Sequence, residues 1–115
     1  MPIRVKRVYE PASPDDGYRV LVDWVWPRGI SKEQAAVDEW ARGLAASTDL
    51  RKWCPHKPER FKEFRRRYQE ELDAHEAALK ALGDRGRKAT VTLVFGARDT
   101  EHNNAVVLAE LLESR

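Results

Sequence analysis

The chain has 115 residues, which is the usual length of one domain. A chain of this length can bury a stable hydrophobic core without disulfide bonds or a structural metal. Its 21 Lys and Arg residues nearly balance 19 Asp and Glu residues, so the net charge of +2 argues against a protein that coats nucleic acid with its whole surface. Four Trp, three Tyr and three Phe residues supply core anchors and argue against intrinsic disorder. We predict a single domain spanning residues 1–115.

Targeting and membrane signals are missing from the sequence. No apolar segment follows the basic residues near Met1, so the sequence shows no signal peptide. No stretch approaches the ~18 apolar residues of a membrane-spanning helix. Cys54 is the only cysteine, which fits a reducing compartment. His56, His75 and His102 are far apart in the sequence, so we expect no metal, and we expect no cofactor. These features predict a cytoplasmic protein that does not associate with membranes.

The first half of the chain predicts two strands and a helix. Residues 3–9 form a short strand, residues 10–17 form a turn-rich loop, and residues 18–26 form an apolar strand of the kind buried on both faces. Ser31 and Gln34 have the spacing of a capping box, and Ile30 precedes them in the staple position. We therefore predict a helix from Ser31 to about Ser47.

The second half predicts two helices around one strand. A polar segment occupies residues 48–58. Apolar residues then recur with a period of 3.6 residues, which predicts a long helix over 58–82. Gly83 and Gly86 are expected to end this helix. Residues 90–97 form the clearest strand, and residues 101–113 form the last helix. The order β-β-α-α-β-α predicts a small, three-layer, Rossmann-like α/β domain with a short, mainly parallel sheet. The direction of the first strand relative to the second stays open.

Polar residues follow two of these strands where each one ends. Ligands of open α/β sheets bind at the carboxyl edge, and Arg side chains, free N–H groups and helix N-termini there favour an anion. Gly29 would let the backbone approach such a ligand closely. The sequence thus predicts a crevice for an anionic small molecule, lined by Asp23, Arg28, Gly29, Arg98, Asp99, His102 and Asn103.

Within this predicted crevice Arg28 and Arg98 would hold the anion, while Asp99 and His102 would transfer protons if the protein is an enzyme. Each residue also has a purely structural interpretation. Asp99 or Thr100 could cap the last helix, Arg28 could pair with Asp23 or Asp38, and His102 could be a solvated surface residue. The substrate, the reaction and the existence of a reaction stay open.

Two other functions compete with the anion crevice. Residues 51–67 carry eight basic and two acidic side chains with aromatic residues between them, so this basic face could bind nucleic acid. Glu63–Arg67, Arg66–Glu70 and Arg67–Glu71 are i, i+4 pairs that would neutralise much of that charge, which makes a solvated face the favoured interpretation. Alternatively, an exposed Trp24 or Trp26 could support a homo-oligomeric interaction domain. Cys54 is expected to be an incidental thiol rather than a nucleophile acting with His56.

Almost the whole chain resembles the YeaO-like family, small bacterial proteins of the DUF488 domain of unknown function. The most specific motifs are Asp-x-x-Trp-Pro-Arg-Gly at 23–29 and Arg-Asp-x-x-His-Asn at 98–103. The resemblance implies a Rossmann-like fold and a polar crevice at the strand ends, and it implies no reaction. The sequence departs from the family pattern at two places. Trp24 replaces the usual arginine, and the pair Cys54-Pro55 replaces an aromatic residue and a glycine.

Overall fold

The computed structural model describes residues 3–53 and 58–115, and four parallel strands within them form the centre of the fold. Cys54 and His56 lie outside the described residues. The strands are β1 (Ile3–Arg7), β2 (Tyr18–Leu21), β3 (Glu39–Trp40) and β4 (Val91–Phe95), and their order in the sheet is β1-β4-β2-β3. All three pairings are parallel, with Leu93 of β4 opposite both Val5 and Val20. The first strand is therefore parallel to the second, with β4 between them.

Helices accompany the sheet, and those in the described part of the chain are α1 (Lys32–Ala35), α2 (Thr48–Trp53), α3 (Phe61–Leu72), α4 (Glu76–Lys88) and α5 (Asn104–Ser114). Short 3₁₀ turns occur at Pro14–Asp16, Arg42–Leu44, Pro58–Arg60 and Asp73–His75. In the part of the chain that the structure describes, no helix is both long and apolar enough to cross a bilayer. The arrangement confirms the predicted small α/β domain of Rossmann-like architecture.

The main hydrophobic core lies between one face of the sheet and helices α3, α4 and α5. Alternate residues of β2 and β4 enter it, and Tyr68 and Leu108 pack against them from the helices. A smaller core on the opposite face contains Val8, Leu21, Ala35 and Val94. Instead of a full helical layer, residues 26–37 and a buried ion-pair cluster cover that second face.

The predicted helix over 31–47 is wrong beyond its first turn. Ser31 and Gln34 do form a capping box, but Ala36 adopts a left-handed conformation and ends α1. The buried guanidinium of Arg19 donates to the carbonyl oxygens of Ala35 and Ala36, which satisfies the end of this helix. The chain then runs beside β2 and forms β3, a strand that the sequence analysis missed. The predicted strand over 18–26 also ends early, at Leu21.

The long helix predicted over 58–82 is two helices with different ends. A 3₁₀ turn separates α3 from α4, and α4 continues through Gly83 and Gly86 to Lys88. Gly86 allows close packing, because a Cβ there would lie 2.5 Å from Ile3 Cδ1. The polar segment 48–58 contains α2, and the last helix begins at Asn104 rather than near Glu101.

Candidate functional site

Asp23 connects three elements at the carboxyl edge of the sheet. Its Oδ2 accepts a hydrogen bond from the Gly96 N–H at 2.8 Å, and its Oδ1 accepts one from Asn104 Nδ2 at 3.3 Å. Asn104 Nδ2 also donates to the Val22 carbonyl at 2.8 Å. Burial raises the pKa of Asp23, although these hydrogen bonds and the charge of Arg51 oppose the shift. The side chain therefore anchors the end of β2 to the end of β4 and the start of α5.

Arg28 and Gly29 lie on the exposed loop that follows β2. The Tyr9 hydroxyl donates to the Arg28 carbonyl at 2.7 Å, which fixes the backbone of this loop against the segment that follows β1. Within residues 3–53 and 58–115 the Arg28 guanidinium has no hydrogen bond or ion pair, so the alternative pairing with Asp23 or Asp38 does not form there. Gly29 has φ +74° with open space around it, so the turn itself requires glycine.

Asp99 organises the turn that follows β4. Its Oδ1 accepts hydrogen bonds from the N–H groups of Glu101 and His102, each at 2.9 Å, and these bonds lower its pKa. His102 Nδ1 lies 3.0 Å from Asp99 Oδ2, and the imidazole packs edge-on against the Phe61 ring. Asp99 therefore caps this turn and orients an exposed imidazole, while the helix that follows has a different cap.

Asn103 is the N-cap of α5. Its Oδ1 accepts from the Val106 N–H at 3.0 Å, and its Nδ2 donates to the Asp99 carbonyl at 2.8 Å. The side chain is buried, and both ends of its amide are occupied by backbone groups. Arg98 directly precedes Asp99 and is exposed, and its guanidinium has no protein partner among the described residues.

The sequence analysis missed a cation–aromatic stack on the β3 side of the same edge. The Arg42 guanidinium lies 4.5 Å from the Trp24 ring centroid and 4.8 Å from that of Trp40, and Arg42 Nε donates to the Trp24 carbonyl at 3.1 Å. Trp40 Nε1 donates to the Asp23 carbonyl at 2.7 Å. Trp24 and Arg42 each follow the end of a strand, so the sequence could have indicated this stack only if β3 had been predicted.

A cleft of about 490 Å³ opens beside this stack. Arg51 of α2 lines it, with Nη2 donating to Thr48 Oγ1 at 2.9 Å. The Arg51 Nε is shielded from solvent and has no hydrogen-bond partner among the described residues. A neighbouring cleft of about 450 Å³ shares Arg42 and His75 with it and extends along α4. Arg51 was predicted only as part of the basic face, since its contact with the strand ends depends on the tertiary position of α2.

Ion pairs engage Arg65, Arg66 and Arg67 of the basic face over 51–67. Arg66 pairs with Glu63 at 2.6 Å and with Glu70 at 2.5 Å, and Arg67 pairs with Glu63 at 2.9 Å. The predicted Arg67–Glu71 pair is absent from the described residues, because Glu71 instead accepts hydrogen bonds from the backbone and hydroxyl of Ser47. Exposed pairs of this kind favour a solvated face over a nucleic-acid footprint.

Across residues 3–53 and 58–115, the structure contains no group of three or more His, Cys, Asp or Glu side chains that could hold a metal ion. The sheet edge carries guanidinium groups, an imidazole, indole rings and backbone N–H groups beside the hydrogen-bonded carboxylates of Asp23 and Asp99. This set suits the recognition of anions and planar groups.

Comparison with known proteins identifies the family. A family described as the inactive DUF488-N3 subclade matches residues 2–115. An uncharacterised protein of Mycobacterium tuberculosis H37Rv is 49% identical over 113 residues, which is 98% of this chain and 95% of the relative. The uncharacterised protein YeaO of Escherichia coli K12 is 46% identical over 114 residues, covering 99% of both chains. No solved structure matches significantly. The chain therefore belongs to the YeaO-like DUF488 proteins, a family of unknown function, within the subclade described as inactive.

Proposed function

We propose that the protein binds a small phosphorylated or carboxylated molecule in a crevice at the carboxyl edge of its sheet, with Arg28 and Arg98 holding the anion. The observation that carries the proposal is that both guanidinium groups are exposed and lack protein partners among the described residues. A guanidinium presents a planar fork of N–H donors that matches a carboxylate or a phosphate.

The course of the backbone supports a shared site for these two arginines. A Cβ on Gly96 would lie 3.5 Å from Pro27 Cβ, so the segments that precede Arg28 and Arg98 run against each other. Arg7 reinforces the same junction, since its Nε donates to the Ala97 carbonyl at 2.8 Å. Both arginines therefore extend from adjacent and firmly held backbone.

Binding is favoured over catalysis as the role of this crevice. The matching family is described as inactive, and Asp99 uses its carboxylate to hold a turn. If a bound molecule does react, His102 is the group that would move a proton, since Asp99 fixes its imidazole and stays ionised because its pKa is lowered.

Solution titration with inorganic phosphate tests the proposal. We expect Arg28→Gln combined with Arg98→Gln to weaken phosphate binding by about tenfold or more, measured by NMR shift changes of backbone amides. Lys52→Gln combined with Lys62→Gln removes the same charge from the basic face and should leave the affinity nearly unchanged. Equal loss in both double variants would show non-specific attraction and would overturn the proposal, as would the absence of binding by the native chain at millimolar phosphate.

Self-association is a second candidate function, favoured by one observation. Tyr9, Trp24, Val25 and Trp40 are large hydrophobic side chains with between 37% and 63% of their surface exposed. Exposed apolar side chains at one end of a sheet are typical of protein interfaces. Sedimentation equilibrium at rising concentration tests this candidate, because a monomer at the highest concentration would eliminate it.

A further inference from the structure

The cleft beside Trp24 has the size and lining of a small-molecule site. Its volume of about 490 Å³ lies within the usual range of ligand pockets, roughly 300–1,000 Å³. We call it the Trp24 cleft, and its lining includes Trp24, Arg42, Ser47, Thr48, Arg51 and His75. Neither Arg28 nor Arg98 lines it, so its occupant is independent of the crevice proposed above.

The aromatic part of this lining is held in place before any ligand arrives. Arg42 stacks on Trp24 and simultaneously donates a hydrogen bond to the Trp24 carbonyl at 3.1 Å. Trp24 nevertheless keeps 44% of its surface exposed. A large indole that is fixed by a cation and still exposed is a platform for a planar group, because stacking needs an accessible π face.

The cationic part of the lining has unused hydrogen-bonding capacity. Arg51 is half-buried, and its Nε is sealed from solvent without a partner among residues 3–53 and 58–115. Among those residues its guanidinium donates from Nη2 to Thr48 Oγ1 and forms no ion pair, so an anionic ligand in the cleft could meet its charge and its remaining Nη group. Arg42 also lines the cleft and adds a second positive charge.

The other titratable groups that face the cleft cancel only part of this charge. Glu71 lines the cleft and contributes one negative charge against the two guanidinium groups, and its Oε1 and Oε2 accept hydrogen bonds from the Ser47 N–H at 2.9 Å and the Ser47 hydroxyl at 2.6 Å. His75 lines the cleft on the α4 side and is exposed. The two guanidinium groups therefore set the sign of the ligand that the cleft accepts.

We infer that the Trp24 cleft binds a planar aromatic anion, with the ring of the ligand on Trp24 and its carboxylate or phosphate on Arg51. Both parts of the ligand are needed, since the indole and the guanidinium both line this one cavity. A bare anion lacks the stacking surface, and a neutral aromatic ring leaves the Arg51 charge without a partner in the cleft.

The test uses the full chain and follows its tryptophan indole N–H signals by NMR. Indole-3-acetate is the ring-plus-anion probe, indole is the neutral ring and acetate is the bare anion. We expect indole-3-acetate to shift the Trp24 signal and to bind about tenfold more tightly than either fragment. Adenosine monophosphate then distinguishes a phosphate from a carboxylate as the preferred anionic group.

Variants assign the binding to the proposed walls. Trp24→Leu and Arg51→Gln should each weaken the affinity for indole-3-acetate by about tenfold, whereas Val25→Ala and Lys52→Gln, their exposed neighbours, should not change it. Arg51→Lys retains the charge and should recover part of the affinity, which separates loss of a ligand contact from loss of folding.

Three results would overturn the inference. Indole could bind as tightly as indole-3-acetate, which would show that the cleft is an apolar patch with no preference for an anionic group. The Arg28→Gln and Arg98→Gln variants could abolish binding while Arg51→Gln retained it, which would place the ligand in the other crevice. The native chain could also fail to bind indole-3-acetate at millimolar concentration. None of these results contradicts phosphate binding by Arg28 and Arg98, and the second would support anion binding there, so the two proposals fail separately.

Discussion

The Asp16 carboxylate lies 2.6 Å from the Arg19 guanidinium, and both side chains are almost completely buried on the second face of the sheet. Lys6 adds a second cation 3.1 Å from the same carboxylate. Arg19 also donates to the end of α1, so this ion pair connects the loop before β2 to that helix. A charged cluster thus substitutes for part of the helical layer that a larger Rossmann-like domain would have there.

Removing the Asp16 carboxylate should strongly destabilise the protein. Asp16→Ala leaves the positive charges of Arg19 and Lys6 without their counterion in a buried position, and such a loss costs about 3–5 kcal/mol. Urea denaturation measures the free energy of unfolding. Asp84→Ala, which removes an exposed partner of Lys80, is the control and should change stability little. Similar stabilities for the two variants would contradict the role assigned to the buried pair.

The stabilisation by Asp16 should disappear in acid. Burial alone would raise the pKa of Asp16, but hydrogen bonds from Ser13, Lys6 and Arg19 outweigh it and lower the pKa below the ordinary value of 3.8. A carboxyl group with a lowered pKa in the folded state stabilises the protein above its unfolded pKa and loses that contribution as the pH falls through its folded pKa. The difference in unfolding free energy between the native chain and Asp16→Asn should therefore be constant near neutral pH and shrink below pH 3.8. A difference that grows in acid would exclude this assignment.

Two glycines of the same helix should respond oppositely to alanine. Gly83 has no atom within 4 Å of an added Cβ, so Gly83→Ala should stabilise α4 by about 0.5–1 kcal/mol through helix propensity. At Gly86 the added Cβ would lie 2.5 Å from Ile3 Cδ1, the end of a side chain that has to move, so Gly86→Ala should be destabilising by about 1 kcal/mol, at the low end of overpacking costs. Thermal denaturation of the two variants measures the change in stability of each one relative to the native chain. Stabilisation of both would show that α4 does not pack against β1 this closely.

Asn104 should contribute to stability through its contacts at the sheet edge. Asn104→Ala leaves the Val22 carbonyl and the Asp23 carboxylate each without one hydrogen-bond donor, which should cost about 1–3 kcal/mol. Glu113→Ala, on the exposed end of the same helix, is the matched control. If the two substitutions have equally small effects in denaturant unfolding, the connection between α5 and the end of β2 is not stabilising.

Local patterns predicted the long elements and failed where distant residues decide the structure. The run of five buried residues that forms β4 is visible in the sequence as a strand. The periodic apolar residues of α3 are likewise visible as a helix. The end of α1 was not predictable, because Arg19, which is distant in sequence, satisfies its last carbonyl groups. β3 has only two residues and both are exposed, so it carries no apolar pattern.

The same distinction applies to the candidate site. Asp23 lies at the predicted carboxyl edge, because parallel strands bring their ends together whatever the details of the loops. The alternative interpretation, that Asp99 or Thr100 caps α5, is wrong, because Asn103 is the cap and Asp99 first forms a turn of its own. The Arg42–Trp24 stack could not be predicted because it depends on the placement of β3.

The location of a bound anion in the crystal is the decisive measurement for the crevice. Crystals soaked in tungstate, a heavy analogue of phosphate and sulfate, would reveal the anion by its anomalous scattering. We predict one tungstate within hydrogen-bond distance of both the Arg28 and Arg98 guanidinium groups. Tungstate bound only on the basic face over 51–67, or the two guanidinium groups pointing to opposite faces of the sheet, would contradict the proposed function.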